Sequence, residues 1–405
     1  MSKTSIRPVL GAIWLEAEVN NMAKTFLGYR RAQGRAGVRN WIAVISVMDN
    51  CNPVTRAISQ AVAGTIPVTA MFVRGQFGAD LEFALNALAG MGRNPNIAGV
   101  LLVGLEPEST EAVAALIRPS GKPVERVHLQ PDGTIECIAR GTRLAARMAL
   151  DASQARREAC PISDLVIGLE CGGSDTTSGL SCNPTIGRMA DRLVGEGGTV
   201  IISETSEFIG AEHLFAARAV DAQVKSEFLA AVRGMEDMAI RRGVNMRDSQ
   251  PAPDNKRGGL TTVEEKALGA LAKAGKSPLM GVLRYGQAPL RQGLHFMDAP
   301  SAAVENLTAF AISGCQLNCF GTGVGNPIGN MVSPTLKVCG NVNTLQSMRD
   351  NIDFDVSAVF ESSASIAELG DQLFERVAEV ASGTFVTSEL LNVRETAVSR
   401  FERSL

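Results

Sequence analysis

Short apolar runs recur along this chain, and longer segments with helical periodicity separate them. WIAVISVM at 41–48, AGVLLVG at 98–104 and DLVIGLE at 164–170 are typical: each suits a buried strand and is too short to cross a bilayer. Such alternation of strands and helices favours parallel sheets with right-handed crossovers. The sequence therefore predicts an α/β fold of two Rossmann-like parallel-sheet units with helices on both faces. Other strands are expected near 66–73, 126–129, 199–204, 278–283, 316–321 and 335–338, and helices near 53–63, 79–91, 109–117, 138–158, 184–196, 211–219, 222–242, 263–273, 303–313 and 364–382.

The domain division follows the motifs along the chain. Residues 1–27 carry no sharp motif and are assigned to an N-terminal extension. Residues 28–160 are predicted to form a first α/β domain, and residues 161–405 a second one with glycine-rich anion loops. A long polar stretch at 245–262 interrupts the second domain, and such loops are uncommon in compact domains unless they are functional or disordered.

The charge and cysteine content restrict the partners and the compartment. The formal net charge is −3, so a nucleic-acid surface would need a local basic stripe, which the sequence lacks. Eight cysteines are scattered through the chain, and its first residues lack the basic and apolar regions of a signal peptide. These features predict a reduced, cytoplasmic protein that binds neither nucleic acid nor a membrane.

The strongest local motif is LVIGLECGGSDTTSG, an apolar strand that runs into a glycine-rich polar turn. Open α/β sheets bind ligands at the carboxyl ends of their strands. Glu170 and Asp175 are therefore candidate acid/base or metal-binding carboxylates, and Gly172, Gly173 and Ser174 are candidate anion-binding residues. The alternative is an ordinary polar turn that caps the following helix.

Two further motifs follow predicted strands. In GTGVGNPIG, Thr322, Gly323 and Gly325 suit a second anion-binding loop, although the spacing does not match the dinucleotide fingerprint. TVIISETSEFIGAEH places Glu204 and Glu207 near a strand end, where carboxylates suit proton transfer or a hard divalent metal.

Two cationic positions are candidate clamps for a substrate carboxylate. Arg39, next to Asn40, precedes the first long strand, and Lys256 lies in the polar stretch. Arginine and lysine both bind carboxylates well. The alternative for each is a solvated surface charge.

Several ordered motifs together resemble the catalytic region of the altronate/galactarate dehydratase family, which also includes the large subunit of sulfolactate sulfo-lyase. The likeness runs from about residue 28 to the C-terminus. The motifs that carry it are GYRRAQGRAGVRN, GLECGGSDTTSG, NPTIGR, ETSEFIGAEH, NKRGGLTTVEEKALG, LRYG and GTGVGNPIG.

The resemblance implies a β-elimination lyase. A base removes the proton next to the substrate carboxylate, the β-hydroxyl or sulfite departs, and the enol becomes a 2-keto acid. We expect dehydration of an aldonate- or aldarate-like hydroxy acid. The alternatives are a non-catalytic sugar-acid-binding homologue and an isomerase or sulfo-lyase that uses the same enediolate chemistry.

The family also implies iron held by three cysteine-containing segments after the first three strands. Asn50, Arg74 and Pro107 stand at those places here, and arginine and proline cannot ligate a metal. A shift of one residue would restore Cys51. The resemblance therefore leaves the cofactor undetermined, and it makes Asn50 and Arg74 candidate substrate-binding residues, with Arg74 able to supply a fixed positive charge. It further implies a homo-oligomer and a possible separate small subunit.

Overall fold

The computed structural model describes residues 24–71 and 73–400. Thirteen strands are assigned within these ranges: β1 (Thr25–Gly28), β2 (Trp41–Ser46), β3 (Thr65–Val68), β4 (Ile97–Gly104), β5 (Val124–His128), β6 (Glu158–Pro161), β7 (Val166–Cys171), β8 (Thr199–Ile202), β9 (Leu279–Leu283), β10 (Gly293–Met297), β11 (Leu317–Thr322), β12 (Thr335–Cys339) and β13 (Phe354–Asp355).

Fourteen α-helices are assigned in the same ranges. They are α1 (Asn52–Ala61), α2 (Gly78–Arg93), α3 (Pro107–Ile117), α4 (Gly133–Ala152), α5 (Asn183–Gly195), α6 (Glu212–Ala216), α7 (Ala222–Arg241), α8 (Met246–Ser249), α9 (Pro253–Arg257), α10 (Val263–Lys273), α11 (Ala303–Ile312), α12 (Val342–Ser347), α13 (Ile366–Ala381) and α14 (Thr387–Leu390). None of these described helices combines the length and apolar character that a membrane span requires.

Two parallel sheets form the framework. The smaller has the strand order β3-β2-β4-β5, and the larger has the order β13-β12-β11-β7-β8-β10-β9. Every neighbouring pair in both sheets is parallel. Central parallel strands are covered on both faces, which is why β4 and β7 are almost continuously apolar and buried. The predicted α/β class with two parallel-sheet units is confirmed.

Three of the features that differ from the expected pattern concern β10, the polar stretch and the start of the described chain. The strand β10 escaped prediction because its five residues follow a polar segment rich in turn-forming residues, yet all five are buried. The polar stretch at 245–262 contains the short helices α8 and α9. An antiparallel pair, β1 with β6, joins the start of the described chain to the segment between the two sheets.

The proposed domain boundaries fall at this antiparallel pair. The boundary at residue 27 lies inside β1, and Phe26 packs into the core of the larger sheet. Residues 1–23 of the proposed extension, and residues 401–405, lie outside the described chain. The strands of the smaller sheet all fall within 28–160, and those of the larger sheet all fall within 161–405.

Buried polar side chains join the two sheets. Asn96, just before β4, accepts a hydrogen bond from the Val38 N–H at 2.9 Å and donates to the carbonyls of Gln316 and Val332, both at 2.8 Å. The Gln316 side chain in turn accepts from the Val166 N–H at 2.7 Å. The Gln316 side-chain amide also donates to the Ala36 carbonyl at 2.8 Å, so each of these two buried amides bonds to backbone of the other unit.

Arg39 anchors α14 to this joint. Its guanidinium binds both carboxylate oxygens of Glu389 at 2.7 Å and donates to the carbonyls of Val38, Val380 and Thr384. The side chains of Arg39 and Glu389 are only 3% and 10% exposed. All five donors of the guanidinium are therefore used within the chain.

We expect Arg39→Ala to lower the free energy of unfolding by about 3–5 kcal/mol, because it leaves Glu389 buried without its partner. Equilibrium urea unfolding measures the change. Arg349→Ala is the matched control, since its ion pair with Asp350 is more than four-fifths exposed and should be worth less than about 1 kcal/mol. Equal effects of the two substitutions would contradict the structural role of Arg39.

Candidate active site

A buried charged cluster lies at the carboxyl end of the central strand β7. Glu170 and Cys171 are the last two residues of β7, and Glu204 and Glu207 follow the end of the adjacent β8. The chain adds β8 on one side of β7 and later β11 on the other, so this is a point where the strand order reverses. Ligand sites of open α/β sheets form at such points.

Lys273, the last residue of α10, supplies the positive charge at the centre of the cluster. Its ammonium donates to the Cys171 Sγ at 3.1 Å and to Glu204 Oε2, and it lies 3.8 Å from Glu207 Oε2. Lys273 has no exposed surface. A buried ammonium is tolerated only where anionic and hydrogen-bonding partners surround it.

Cys171 links the two glutamates. Its N–H donates to Glu204 Oε2 at 3.1 Å, and its thiol donates to Glu207 Oε2 at 3.1 Å. The other oxygen of Glu207 lies 3.5 Å from the ammonium of Lys266. Lys266 and Lys273 both lie on α10, and they extend from the same face of that helix. Glu207 therefore stands between two cations and a thiol donor.

Glu170 is the third glutamate of the cluster, and it lies behind Glu204 and Glu207. Its Oε2 accepts a hydrogen bond from the side-chain amide of Asn306, whose oxygen accepts from the Ser203 hydroxyl. Its Oε1 has no hydrogen-bond partner among the described residues. Burial, together with the nearby Glu204 carboxylate, raises the pKa of Glu170 well above its usual range.

Burial and neighbouring charges also shift the pKa values of Glu204, Cys171 and Lys273. Burial and the Glu207 carboxylate raise the pKa of Glu204 to about 7, against the opposing effect of Lys273. Burial also raises the pKa of the Cys171 thiol, which stays protonated. Burial lowers the pKa of Lys273, but the surrounding thiol and carboxylates outweigh it and raise that pKa well above its usual range.

Glu204 adopts an unusual backbone conformation. Its φ of 69° and ψ of 61° lie in the left-handed region. A non-glycine residue there carries strain of about 1–3 kcal/mol, which surrounding contacts must offset. The contacts with Cys171 and Lys273 fix the Glu204 side chain in this position.

A cavity of about 220 Å³ opens beside the cluster. Cys171 and Glu207 lie on its wall with Lys266, while Ser174 and Asp175 line it from the glycine-rich turn. A π-helical turn, Ser178–Cys182, lies between that turn and α5, and such turns are frequent at functional sites. Glu207 and Lys266 are thus positioned to touch a bound molecule, with Glu204 and Lys273 behind them.

The two predicted anion loops are bonded to one another. The N–H groups of Gly323 and Val324 donate to the Gly173 carbonyl at 3.0 and 2.9 Å, and the Gly172 N–H donates to the Gly321 carbonyl at 3.2 Å. Gly323 is required here, since a Cβ would lie 2.1 Å from the Asp175 carboxyl.

Thr322 and Asp175 hold these loops together. The Thr322 hydroxyl donates to the Gly172 carbonyl at 2.8 Å and accepts from the Gly325 N–H at 3.1 Å. Asp175 accepts hydrogen bonds from the Ser178 N–H and from the Asn341 amide. Many of the N–H and hydroxyl groups that were predicted to bind an anion therefore form hydrogen bonds between the two loops instead.

The structure unites only part of the predicted set. Glu170, Glu204 and Glu207 come together, and Ser174 and Asp175 line the adjoining cavity. Arg39 lies at the joint between the sheets with Asn40, whose side chain binds Arg31 and the Ala152 carbonyl. Lys256 is exposed on α9, and Asn50 and Arg74 are exposed after strands of the smaller sheet.

The positions at which the resemblance implies iron hold residues that do not fit an iron ion. Asn50 and Arg74 are exposed, Pro107 begins α3, and the neighbouring Cys51 is buried in the core of the smaller sheet. Within residues 24–71 and 73–400, the one group of three metal-capable side chains is Cys171, Glu204 and Glu207.

Sequence reasoning missed Lys266, Lys273 and Asn306. The two lysines are seven residues apart on a helix that was predicted at its observed bounds, a spacing that puts them on one face. This spacing could have indicated that the two lysines act at the same site. Asn306 carried no comparable signal.

The α/β fold thus places a buried charged cluster at a strand-order reversal, where proteins with open parallel sheets bind their ligands. Two family profiles match the chain: "D-galactarate dehydratase/Altronate hydrolase, second domain" over residues 28–153, and "D-galactarate/Altronate dehydratase, C-terminal" over residues 162–404. The chain belongs to this dehydratase family, and it is a lyase of that family.

Characterised relatives differ in reaction and in length. The chain is 42% identical to the (2R)-sulfolactate sulfo-lyase subunit beta of Chromohalobacter salexigens, over 94% of this chain and 98% of that protein. It is 32% identical to the altronate dehydratase of Bacillus subtilis, over 95% and 79%. It is 35% identical to the L-threo-forming galactarate dehydratase of Escherichia coli, over 72% and 57%.

Protonation of Glu204 predicts a pH-dependent stability. Its pKa, about 7 in the folded protein and near 4.5 in the unfolded chain, means that its stabilising proton is fully present below about pH 4.5. That contribution disappears as the pH rises through 7. Relative to Glu204→Gln, the wild-type free energy of unfolding should therefore fall by about 3 kcal/mol between pH 4.5 and 8.

Urea unfolding of both proteins across this pH range measures the difference. Glu368→Gln is the control: hydrogen bonds from Ser365 lower the pKa of Glu368, so its stabilising effect is lost only as the pH falls below about 4.5. Its difference from wild type should stay constant between pH 5 and 8. A constant difference for Glu204→Gln as well would contradict the raised pKa.

Proposed function

We propose that this chain catalyses β-elimination from a small 2-hydroxy acid at the cavity beside β7. The observation that carries the proposal is the Glu207 carboxylate 3.5 Å from the Lys266 ammonium, both on the cavity wall. A carboxylate beside a cation suits removal of a proton next to a substrate carboxylate, because the base and the charge-stabilising group act on adjacent atoms.

In this proposal Lys266 binds the substrate carboxylate and stabilises the negative charge that develops on it. Glu207 removes the proton from C2, the C2–C3 double bond forms, and the leaving group departs from C3 with its bonding electrons. The resulting enol takes up a proton at C3 and gives a 2-keto acid. Glu170, Glu204 and Lys273 act as positioning residues that hold Cys171 and Glu207 in place.

The leaving group is proposed to be sulfite from a 2-hydroxy-3-sulfo acid. Support comes from the 42% identity with the sulfo-lyase subunit, which extends over 98% of that relative. The second candidate is dehydration of an aldonate or aldarate, supported by the altronate and galactarate dehydratases at 32–35% identity. Both reactions pass through the same enediolate, so the residue roles are common to them.

The chain is also proposed to associate with itself and with a separate small subunit. The sulfo-lyase relative is itself named as a beta subunit, which supports a partner chain. Leu180 and Leu268, 58% and 52% exposed, lie on the rim of the cavity. A partner that covers these leucines would also exclude water from the enediolate.

Lys256 stays a proposed substrate-binding residue. It is exposed on α9, but the adjoining Asn255 donates to the Ser174 carbonyl at 2.9 Å, which fixes α9 against the glycine-rich turn. The Lys256 ammonium thus extends from a helix attached to the cavity wall.

Product analysis tests the reaction. The purified protein, alone and with its proposed partner, is incubated with 3-sulfolactate, altronate and galactarate, and products are identified by mass spectrometry. We expect sulfite and pyruvate from sulfolactate; loss of water from a sugar acid would support the second candidate. Binding without turnover, measured by calorimetry, would favour a non-catalytic homologue, and a product of unchanged mass would indicate an isomerase.

Two substitutions assign the roles at the cavity. Glu207→Gln should lower kcat by about 10²–10⁴-fold, because it removes the base. Lys266→Met should raise KM by about 10–100-fold, because the substrate carboxylate loses a hydrogen bond to a charged group, and it should also lower kcat, because the same ammonium stabilises the developing charge. Lys225→Met, an exposed lysine on α7, is the control and should leave both constants unchanged. Full activity of Glu207→Gln would rule out the assigned base.

A further inference from the structure

Three side chains around Lys273 form an arrangement that suits a metal ion. The ligand atoms of Cys171, Glu204 and Glu207 all lie within 4.8 Å of one another, and all three residues are buried. A thiolate with two carboxylates would favour a borderline ion such as Zn²⁺ or Co²⁺.

The Lys273 ammonium lies among these same atoms. It donates to the Cys171 Sγ at 3.1 Å and contacts Glu204 Oε2, and its distance to Glu207 Oε2 is 3.8 Å. A metal ion placed between the three ligand atoms would therefore collide with the ammonium and would be repelled by its charge at short range.

We propose that Lys273 is a built-in cation that occupies a latent Cys171/Glu204/Glu207 metal site, so that the buried carboxylates are neutralised by a side chain and divalent ions are excluded. The inference concerns this cluster alone and does not depend on the reaction proposed above.

The positions of the other charged groups support Lys273 as the central cation of the cluster. Of the three glutamates, Lys266 pairs with Glu207 alone, from the side of the cavity, and it also donates to the Gln250 side-chain oxygen at 3.0 Å. Glu170, on the far side, is held by Asn306. Removal of the Lys273 charge would leave Glu204 without an ammonium partner in its buried position, and a buried anion without compensation attracts any cation that fits.

The test is a Co²⁺ titration of Lys273→Met, which keeps most of the aliphatic chain and removes the charge. We expect one equivalent of Co²⁺ to bind and to give the near-ultraviolet absorption of a cobalt thiolate. The band should be absent from Lys273→Met/Cys171→Ser. The affinity should exceed that of the wild-type protein at least about a hundredfold, because a unit charge within a few ångströms no longer opposes the ion.

Lys266→Met is the matched control, since it removes the same charge from the same face of α10 and leaves Lys273 in place. It should bind Co²⁺ no better than the wild-type protein. A cobalt thiolate band in the wild-type protein would overturn the proposal, and so would a folded Lys273→Met without the band.

A second measurement tests the proposal if Lys273→Met folds poorly. Lys273→Met is expressed with and without added Zn²⁺, and its soluble yield and thermal midpoint are compared. Zn²⁺ should raise both for Lys273→Met and neither for Lys266→Met. A Lys273→Met variant that stays insoluble or equally unstable with Zn²⁺ would contradict the proposal.

Discussion

The ion pair between Lys273 and Glu204 is the interaction on which the arrangement of the candidate site depends. Both side chains are almost fully buried, and a charge removed from water without a partner is strongly unfavourable. The end of β8, the last turn of α10 and the end of β7 must therefore meet within hydrogen-bonding distance. This requirement explains why a glutamate, and not a glycine, occupies a left-handed backbone conformation at position 204. The contacts of the Glu204 side chain with Cys171 and Lys273 offset the strain of that conformation.

A second polar constraint joins the two sheets. The side chains of Asn96, Gln316 and Arg39 each donate a hydrogen bond to a backbone carbonyl of the other unit. A joint of directional hydrogen bonds fixes the relative orientation of two sheets more narrowly than apolar contact does, since each bond requires its own distance and angle.

The sequence predicted the fold more completely than the site. Continuous apolar runs identified the central strands, whereas β10 lacked such a run, and the β1–β6 pair depends on contacts between distant segments. The strand-end rule found Glu170, Glu204 and Glu207 because parallel strands end at one edge. Lys266 and Lys273 come from a helix whose orientation only tertiary packing sets. Arg39 and the glycine loops carry residue types that suit anion binding, yet neighbouring groups of the chain use many of their donors.

The Arg39 contacts also have a consequence for biosynthesis. The guanidinium lies near the start of the first unit, but its carboxylate partner is 350 positions later. While the ribosome is still translating the intervening codons, the nascent chain can complete the smaller sheet and yet cannot close this joint. The Arg39–Glu389 contact is therefore among the last parts of the joint to form, after the bonds from Asn96 to Gln316 and Val332 have become possible, and until then water hydrates the Arg39 guanidinium.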